Sequence, residues 1–487
     1  MRRGYILIIT LLISSLACGL FTTNTPLPTD TIAPTKAIPT STSIPPTTSP
    51  TQAPANTRAP RPTGAQTTLP EATTSPTQEE PTKTPYPTSV LDKQLSQEIE
   101  LIQSQVIDER GLQPKSDVPV VLLSPDQLRQ NVINDFLADY TDEESADDVL
   151  ELTAIGLLEP GFDFRDFYID LLSEQVAGYY DGDVKEMFVV QGEGFEGPER
   201  MTYAHEFTHV LQDQTYDIEH GLNYNDDACE ADSERCAAIQ ALIEGDATQS
   251  ELSWFQYYAT RLDRQQITVF YDNYQSPVYD QAPAFMKEDF GFPYNQGYAF
   301  VQTIYDEGGW SAVDDVYSNP PVSTEQILHP DLYPGDTPIP VDLPDVIPAL
   351  GNGWHELSRN QMGEWYTYLI LARGANSKAN LDDTTAQDAA AGWGGDEYVV
   401  LHNDTTNSTV FVMETVWDST KDATEFANAL QKYANIRFGV KASQQGNDLT
   451  WSYSGGYSTF YHSGDTTIWI ITPDAETAQT ISSLVQP

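Results

Sequence analysis

The sequence predicts an α+β chain, a mainly helical region with a small strand hairpin followed by a compact α+β module. Three observations carry that expectation. Between Leu91 and Tyr317 apolar residues recur at helical spacing, as in LDKQLSQEIELIQSQVIDERG and ERCAAIQALIEGDATQSELSWFQYYATRL. Within that region VAGYYDGDVKEMFVVQG reads as two short strands around an Asp181-Gly182 turn. From about Gly392 the texture changes. YVVLHND, STVFVMETVW, LTWSYS, YSTFYHS and TTIWIITP read as strands, and DATEFANALQKYA and AETAQTISSLVQ as helices.

The chain opens on MRRGYILIITLLISSLACGLF. Arg2 and Arg3 precede an apolar run, Tyr5 to Leu16, that is too short to span a bilayer comfortably. The run ends in Ser15-Leu16-Ala17-Cys18 and resembles a bacterial lipoprotein signal, in which the cysteine becomes the lipidated first residue. Ser15 stands where that pattern usually has Leu. Residues 1–18 are therefore expected to be a signal peptide, with Cys18 anchoring an extracytoplasmic protein to the cell membrane. A cleaved secretory signal and an uncleaved anchor are the alternatives. Residues 19–90 are rich in Thr, Pro and Ser, cannot bury a core, and are expected to form a disordered stalk. Acidic residues outnumber basic ones 72 to 24, a net charge of −48. Such a surface repels phosphate backbones, so nucleic acid is not expected as a partner.

Two folded parts should follow, a helical domain over 91–387 and an accessory α+β module over 388–487. VPVVLLS is a short strand, and Ser124-Pro125 opens a helix. Helices are expected near 145–157 and 166–175, then from Pro198 through GPERMTYAHEFTHVLQDQ. Others should cover 294–307 and 308–317, before an irregular Pro-rich segment at 319–348. If Cys18 is lipidated, Cys229 and Cys236 form an even pair in an exported protein, so a disulfide is expected. A continuous helix would hold their Cα atoms about 10 Å apart, beyond bridging range, so Cys229 should lie in a loop and Cys236 near a helix start.

The chemistry is concentrated in TYAHEFTHVLQDQ. His205 and His209 are four residues apart on a helix and share one face, so both can point at one ion. Glu206 then lies beside them, placed to take a proton from a metal-bound water. A third ligand could come from His220, just past the helix, or from Glu244 in ALIEGDAT, on a second helix where Gly245 permits close backbone approach. Glu244 is favoured, because two His and one Glu leave a fourth position open for water. His329, in STEQILHP, sits before Pro330 in an irregular segment and is a further candidate for oxyanion stabilisation. His355, His402 and His462 lack partners at ligand spacing.

HEFTH, then IEGDA, then YNQGYAFVQTIY at 294–305 resemble the gluzincin metallopeptidases, the thermolysin-like and aminopeptidase N-like superfamily. The resemblance covers roughly residues 175–310. It implies a zincin-like domain that hydrolyses peptide or protein substrates with zinc as cofactor. His205, His209 and Glu244 would be the metal ligands, Glu206 the general base and Tyr294 the oxyanion partner. The substrate backbone would add to the edge of the strand at 184–190. The chain departs from the family in three ways. The gap from His209 to Glu244 is long, no G-x-M-E-N motif is present, and Thr248 replaces the Asp that supports a ligand histidine in thermolysin-like enzymes. Asp213 or Asp246 is expected to take that role. The competing expectation is an inactive zincin-like display or binding protein that presents the C-terminal module.

Overall fold

The computed structural model describes residues 91–190 and 194–485, together with the backbone of Ile13–Ser15. The expected lipidated cysteine and stalk lie outside the described residues. The chain divides into two units, and all described residues fall in the one that excludes Thr22–Lys83. Among the described residues no helix is long and apolar enough to cross a membrane.

The architecture is α+β. The first sheet holds β1 (Ile13–Ser15), β2 (Val120–Leu123), β3 (Val176–Asp181) and β4 (Glu186–Val190), in the order β1-β3-β4-β2. The expected hairpin is β3–β4, paired antiparallel from Gly178↔Val189 to Asp181↔Glu186. VPVVLLS joins it as β2, parallel to β4. This corrects one expectation. β4 is flanked on both sides, so it offers no free edge to a substrate backbone.

The helices of the described residues include α1 (Lys93–Arg110), α2 (Gly197–Tyr216), α3 (Ser233–Tyr257), α4 (Ala284–Gly308), α5 (Thr324–Leu328), α6 (Gly363–Ala372), α7 (Thr420–Arg437) and α8 (Ala475–Val485). Pro198 sits in the first turn of α2, and Glu196 and Glu199 close a capping box around it. Every residue of α2 from Tyr203 to Asp213 is buried, so this is a central helix. Asp232 caps helix α3, its side chain accepting from the Arg235 amide. The Cys229–Cys236 disulfide is present, with 5.4 Å between Cα atoms. Cys229 lies in the short helix Asp226–Ala231 rather than in a loop; the break at Asp232 turns the chain back and brings the sulfurs together.

Helices α3 and α4 meet backbone to backbone. A Cβ on Gly245 would collide with the Gly297 carbonyl, and one on Gly297 with the Ala241 carbonyl. Helix α4 is longer than the sequence suggests, beginning at Ala284 and running through Pro293. Pro293 reads as a boundary because it lacks an N–H, yet packing holds the helix on both sides of it.

The second sheet is antiparallel and seven-stranded: β5 (Trp354–Asn360), β6 (Trp393–Asn403), β7 (Ser408–Trp417), β8 (Ser443–Gln445), β9 (Asp448–Tyr453), β10 (Gly456–Ser463) and β11 (Thr466–Thr472), in the order β5-β6-β7-β11-β10-β9-β8. Strand alternation splits its side chains cleanly. Val399, Leu401, Val410, Val412, Ile468 and Ile470 pack with Ile481 and Val485 of α8. Tyr398, Val400, Phe411, Met413 and Trp469 join Phe426, Leu430 and Tyr433 of α7 in the main core, which continues into the helical region. Its first strand precedes residue 388, so the sheet draws in chain from the Pro-rich side.

Candidate metal centre

His205 and His209 project from α2 toward Glu244 on α3. His205 Nε2 lies 3.1 Å from Glu244 Oε2, and His209 Nε2 lies 3.4 Å from the same oxygen. The three potential ligand atoms fall within 4.8 Å of one another, all on fully buried side chains. His209 Nε2 and Glu244 Oε1 are buried without a hydrogen-bond partner among the described residues. Buried polar atoms are rarely left so. Two imidazole nitrogens and a carboxylate oxygen make the donor set of a catalytic zinc site. These residues therefore fit the ion.

The outer nitrogens fix which atoms face that point. His205 Nδ1 lies 3.2 Å from Glu251 Oε2, where the imidazole can donate to the carboxylate. His209 Nδ1 lies 2.8 Å from Gln212 Oε1. The Gln212 amide cannot flip, because its Nε2 donates to the Ile243 carbonyl at 2.9 Å and to Asp246 Oδ2 at 2.9 Å. With both Nδ1 atoms donating, both Nε2 lone pairs point inward. Asp246 is held in turn by Arg110 through Nε to Oδ1 at 2.7 Å and Nη2 to Oδ2 at 3.1 Å, and it accepts the Tyr317 hydroxyl at 2.7 Å. The Arg110 guanidinium stacks 4.5 Å from the Trp310 ring centroid. Residues 91–170 are thus part of the fold that supports the centre, since α1 supplies Arg110.

Burial opposes charge on His205, but hydrogen bonds and charges from Glu244 and Glu251 outweigh it and push this imidazole up to about 10. Burial also opposes charge on Glu244, and the His209 beside it holds the carboxyl below its ordinary range.

Glu206 is fully buried next to His205 and faces β3, its Cγ 3.4 Å from where a Cβ on Gly178 would stand. Tyr294 is 5% exposed, its ring centroid 6.2 Å from that of His205. It also lines an apolar cavity of about 150 Å³ walled by Leu152, Phe164, Phe285, Met286 and Phe292, with Glu234 and Asp289 at its polar spots. His205, His209, Glu244 and Tyr294 thus share one neighbourhood, and Glu206 follows His205 on the same buried helix.

His329 is held elsewhere. Its Nε2 pairs with Glu364 Oε1 at 2.9 Å, and no hydrogen bond or ion pair among the described residues joins it to the two α2 histidines or Glu244. His220 is exposed on the surface and far from a ligand role. Trp393 is buried and donates to Asp396, as core aromatics do. The expected orienting aspartates need correction. Asp213 takes the Tyr180 hydroxyl and Lys185 instead, and Asp246 acts only through Gln212. The direct partner of His205 is Glu251, which sequence reasoning passed over. Its signal was present, because position 251 is two helical turns beyond Glu244 on the same face. Gln212 follows His209 by three residues and was equally legible.

Residues 352–482 match the model of a family described as Domain of unknown function (DUF8575). The match takes in the second sheet and leaves the metal centre outside. No curated protein and no solved structure matches the chain.

Proposed function

We propose that this protein is a zinc-dependent peptidase, tethered outside the cytoplasm through Cys18, that hydrolyses peptide bonds. The observation that carries the reading is the inward convergence of His205 Nε2, His209 Nε2 and Glu244 Oε2, with both Nδ1 atoms restrained from behind. A zinc ion held there would polarise the scissile carbonyl and lower the pKa of a bound water to ~7. Glu206, buried beside His205, accepts the proton of the attacking water and returns it to the leaving amine. The Tyr294 hydroxyl donates to the oxyanion that develops on the carbonyl. Glu251 and the Arg110–Asp246–Gln212 chain keep the imidazoles in the ligating tautomer. The aromatic cavity beside Tyr294 gives an apolar substrate side chain a place to lie.

The deciding experiment is zinc content beside hydrolysis of an unfolded protein such as casein. One zinc per chain with turnover, zinc lost in Glu244→Ala, and zinc kept but turnover lost in Glu206→Gln are the expected results. A second reading is favoured by burial: His205, Glu206, His209 and Glu244 are each at most 1% exposed, a closed arrangement suited to an inactive display protein. Zinc without turnover in the wild type would select it. No zinc after metal reconstitution would end both readings.

A further inference from the structure

Outside the metal centre, three carboxylates form a second cluster. Glu325 lies on α5, Asp336 in the irregular chain after it, and Asp418 in the turn between β7 and α7. One carboxylate oxygen from each falls within 4.8 Å of the others. Among the described residues no lysine or arginine forms an ion pair with any of the three. Lys421, close by in sequence, is engaged with Asp422 and Glu425.

An acidic cluster alone is common. What singles this one out is Glu325. Its side chain is 3% exposed, and Oε1 is buried with no hydrogen-bond partner among the described residues. Neighbouring Glu364 repeats the pattern: it is 4% exposed, and its Oε2 is buried and unpartnered among the described residues while Oε1 faces His329. Buried carboxylate oxygens left this way call for a charge or a donor.

We propose that Glu325, Asp336 and Asp418 bind a calcium ion. The donors are all oxygens, which selects a hard cation and disfavours zinc. Oxygens about 2.4 Å from one calcium lie at most about 4.8 Å apart, and one oxygen from each of the three residues falls within that limit. Asp336 is half-buried and Asp418 exposed, so water can complete the six to eight ligands that calcium takes. The ion would fasten the α5 segment, which precedes the family-matched region, to the β7–α7 turn inside that region. STEQILHP then has a structural use, with Glu325 as ligand and His329 holding Glu364 at its side. This inference stands apart from the zinc reading.

Calorimetric titration of the full chain with calcium chloride, with magnesium chloride alongside, tests it. One saturable calcium per chain is expected, with a rise in melting temperature and weaker magnesium binding. Asp418→Asn, at an exposed position where folding is not at risk, and Glu325→Gln should each weaken calcium binding at least tenfold. Zinc content should stay unchanged. Glu159→Gln, at an exposed acid outside the cluster, should change nothing. No saturable binding up to millimolar calcium overturns the proposal. So does binding that Asp418→Asn and Glu325→Gln leave as it was, because the calcium would then sit on the general acidic surface.

Discussion

At the metal centre three buried carboxylates face positive partners. Asp246 meets Arg110, and Glu244 and Glu251 meet His205. Against the second sheet the same kind of group is treated differently. Glu151 accepts the Tyr398 hydroxyl at 2.7 Å, Glu234 the amide and hydroxyl of Thr324, and Asp396 two backbone amides and the Trp393 indole. Glu325 Oε1 has no hydrogen-bond partner among the described residues. Burial pushes these four up to about 7, 8, 6 and 9 respectively, and neighbouring carboxylates add to the push. In the first region paired charge offsets the cost of burial, raising His205 and lowering Glu244. In the second no paired positive charge offsets burial, so each acid binds its proton more tightly than it would in water.

That contrast can be broken in several ways. The largest effect should come from Glu206→Gln, a loss of about 10²–10⁴ in hydrolysis rate with zinc retained, read from turnover beside elemental analysis. Next is Arg110→Met, which strands Asp246 as an uncompensated buried charge. A loss of about 3–5 kcal/mol in denaturant unfolding is expected. Adding Asp246→Asn should recover part of it; no recovery would mean that Arg110 acts by packing on Trp310 instead. Glu251→Gln should weaken zinc affinity by about 10–100-fold in competition with a chelating dye, through poorer orientation of His205.

The smallest effect per unit of the variable sharpens the other side of the comparison. Glu151 and Glu234 bind their protons more tightly folded than unfolded. Their contribution to stability is complete below the unfolded value of 4.5 and is lost as pH rises through about 7 and 8. Each group adds a slope of up to about 1.4 kcal/mol per pH unit between those limits. Glu151→Gln should flatten the curve by one such increment, measured as unfolding free energy from pH 5 to 8. An unchanged slope would show that Glu151 does not titrate in that window.

Much of this was legible in the sequence because it is local. The i, i+4 histidines, the hairpin around Asp181-Gly182 and the alternating strands after Gly392 all follow from short-range periodicity. The second-helix carboxylate was favoured because two His and one Glu leave a fourth position open for water. Other features were hidden for identifiable reasons. Helix α6 is buried almost all round, so GEWYTYLILA has no polar face to reveal its period. Strand β5 reads WHELSRN, where charged side chains blur the alternation. Arg110 reaches Asp246 across 136 residues, and no local pattern announces such a pair.

The contact between Gly245 and Gly297 has a mechanical consequence. With carbonyl groups seated where side chains would otherwise be, α3 and α4 can neither slide nor separate without losing that seat. Glu244 and Tyr294, one residue before and three residues before those glycines, therefore move as parts of one rigid body. On the proposed peptidase reading, a peptide would have to enter by displacing another wall, and the spacing between Glu244 and Tyr294 would be preserved while it did so.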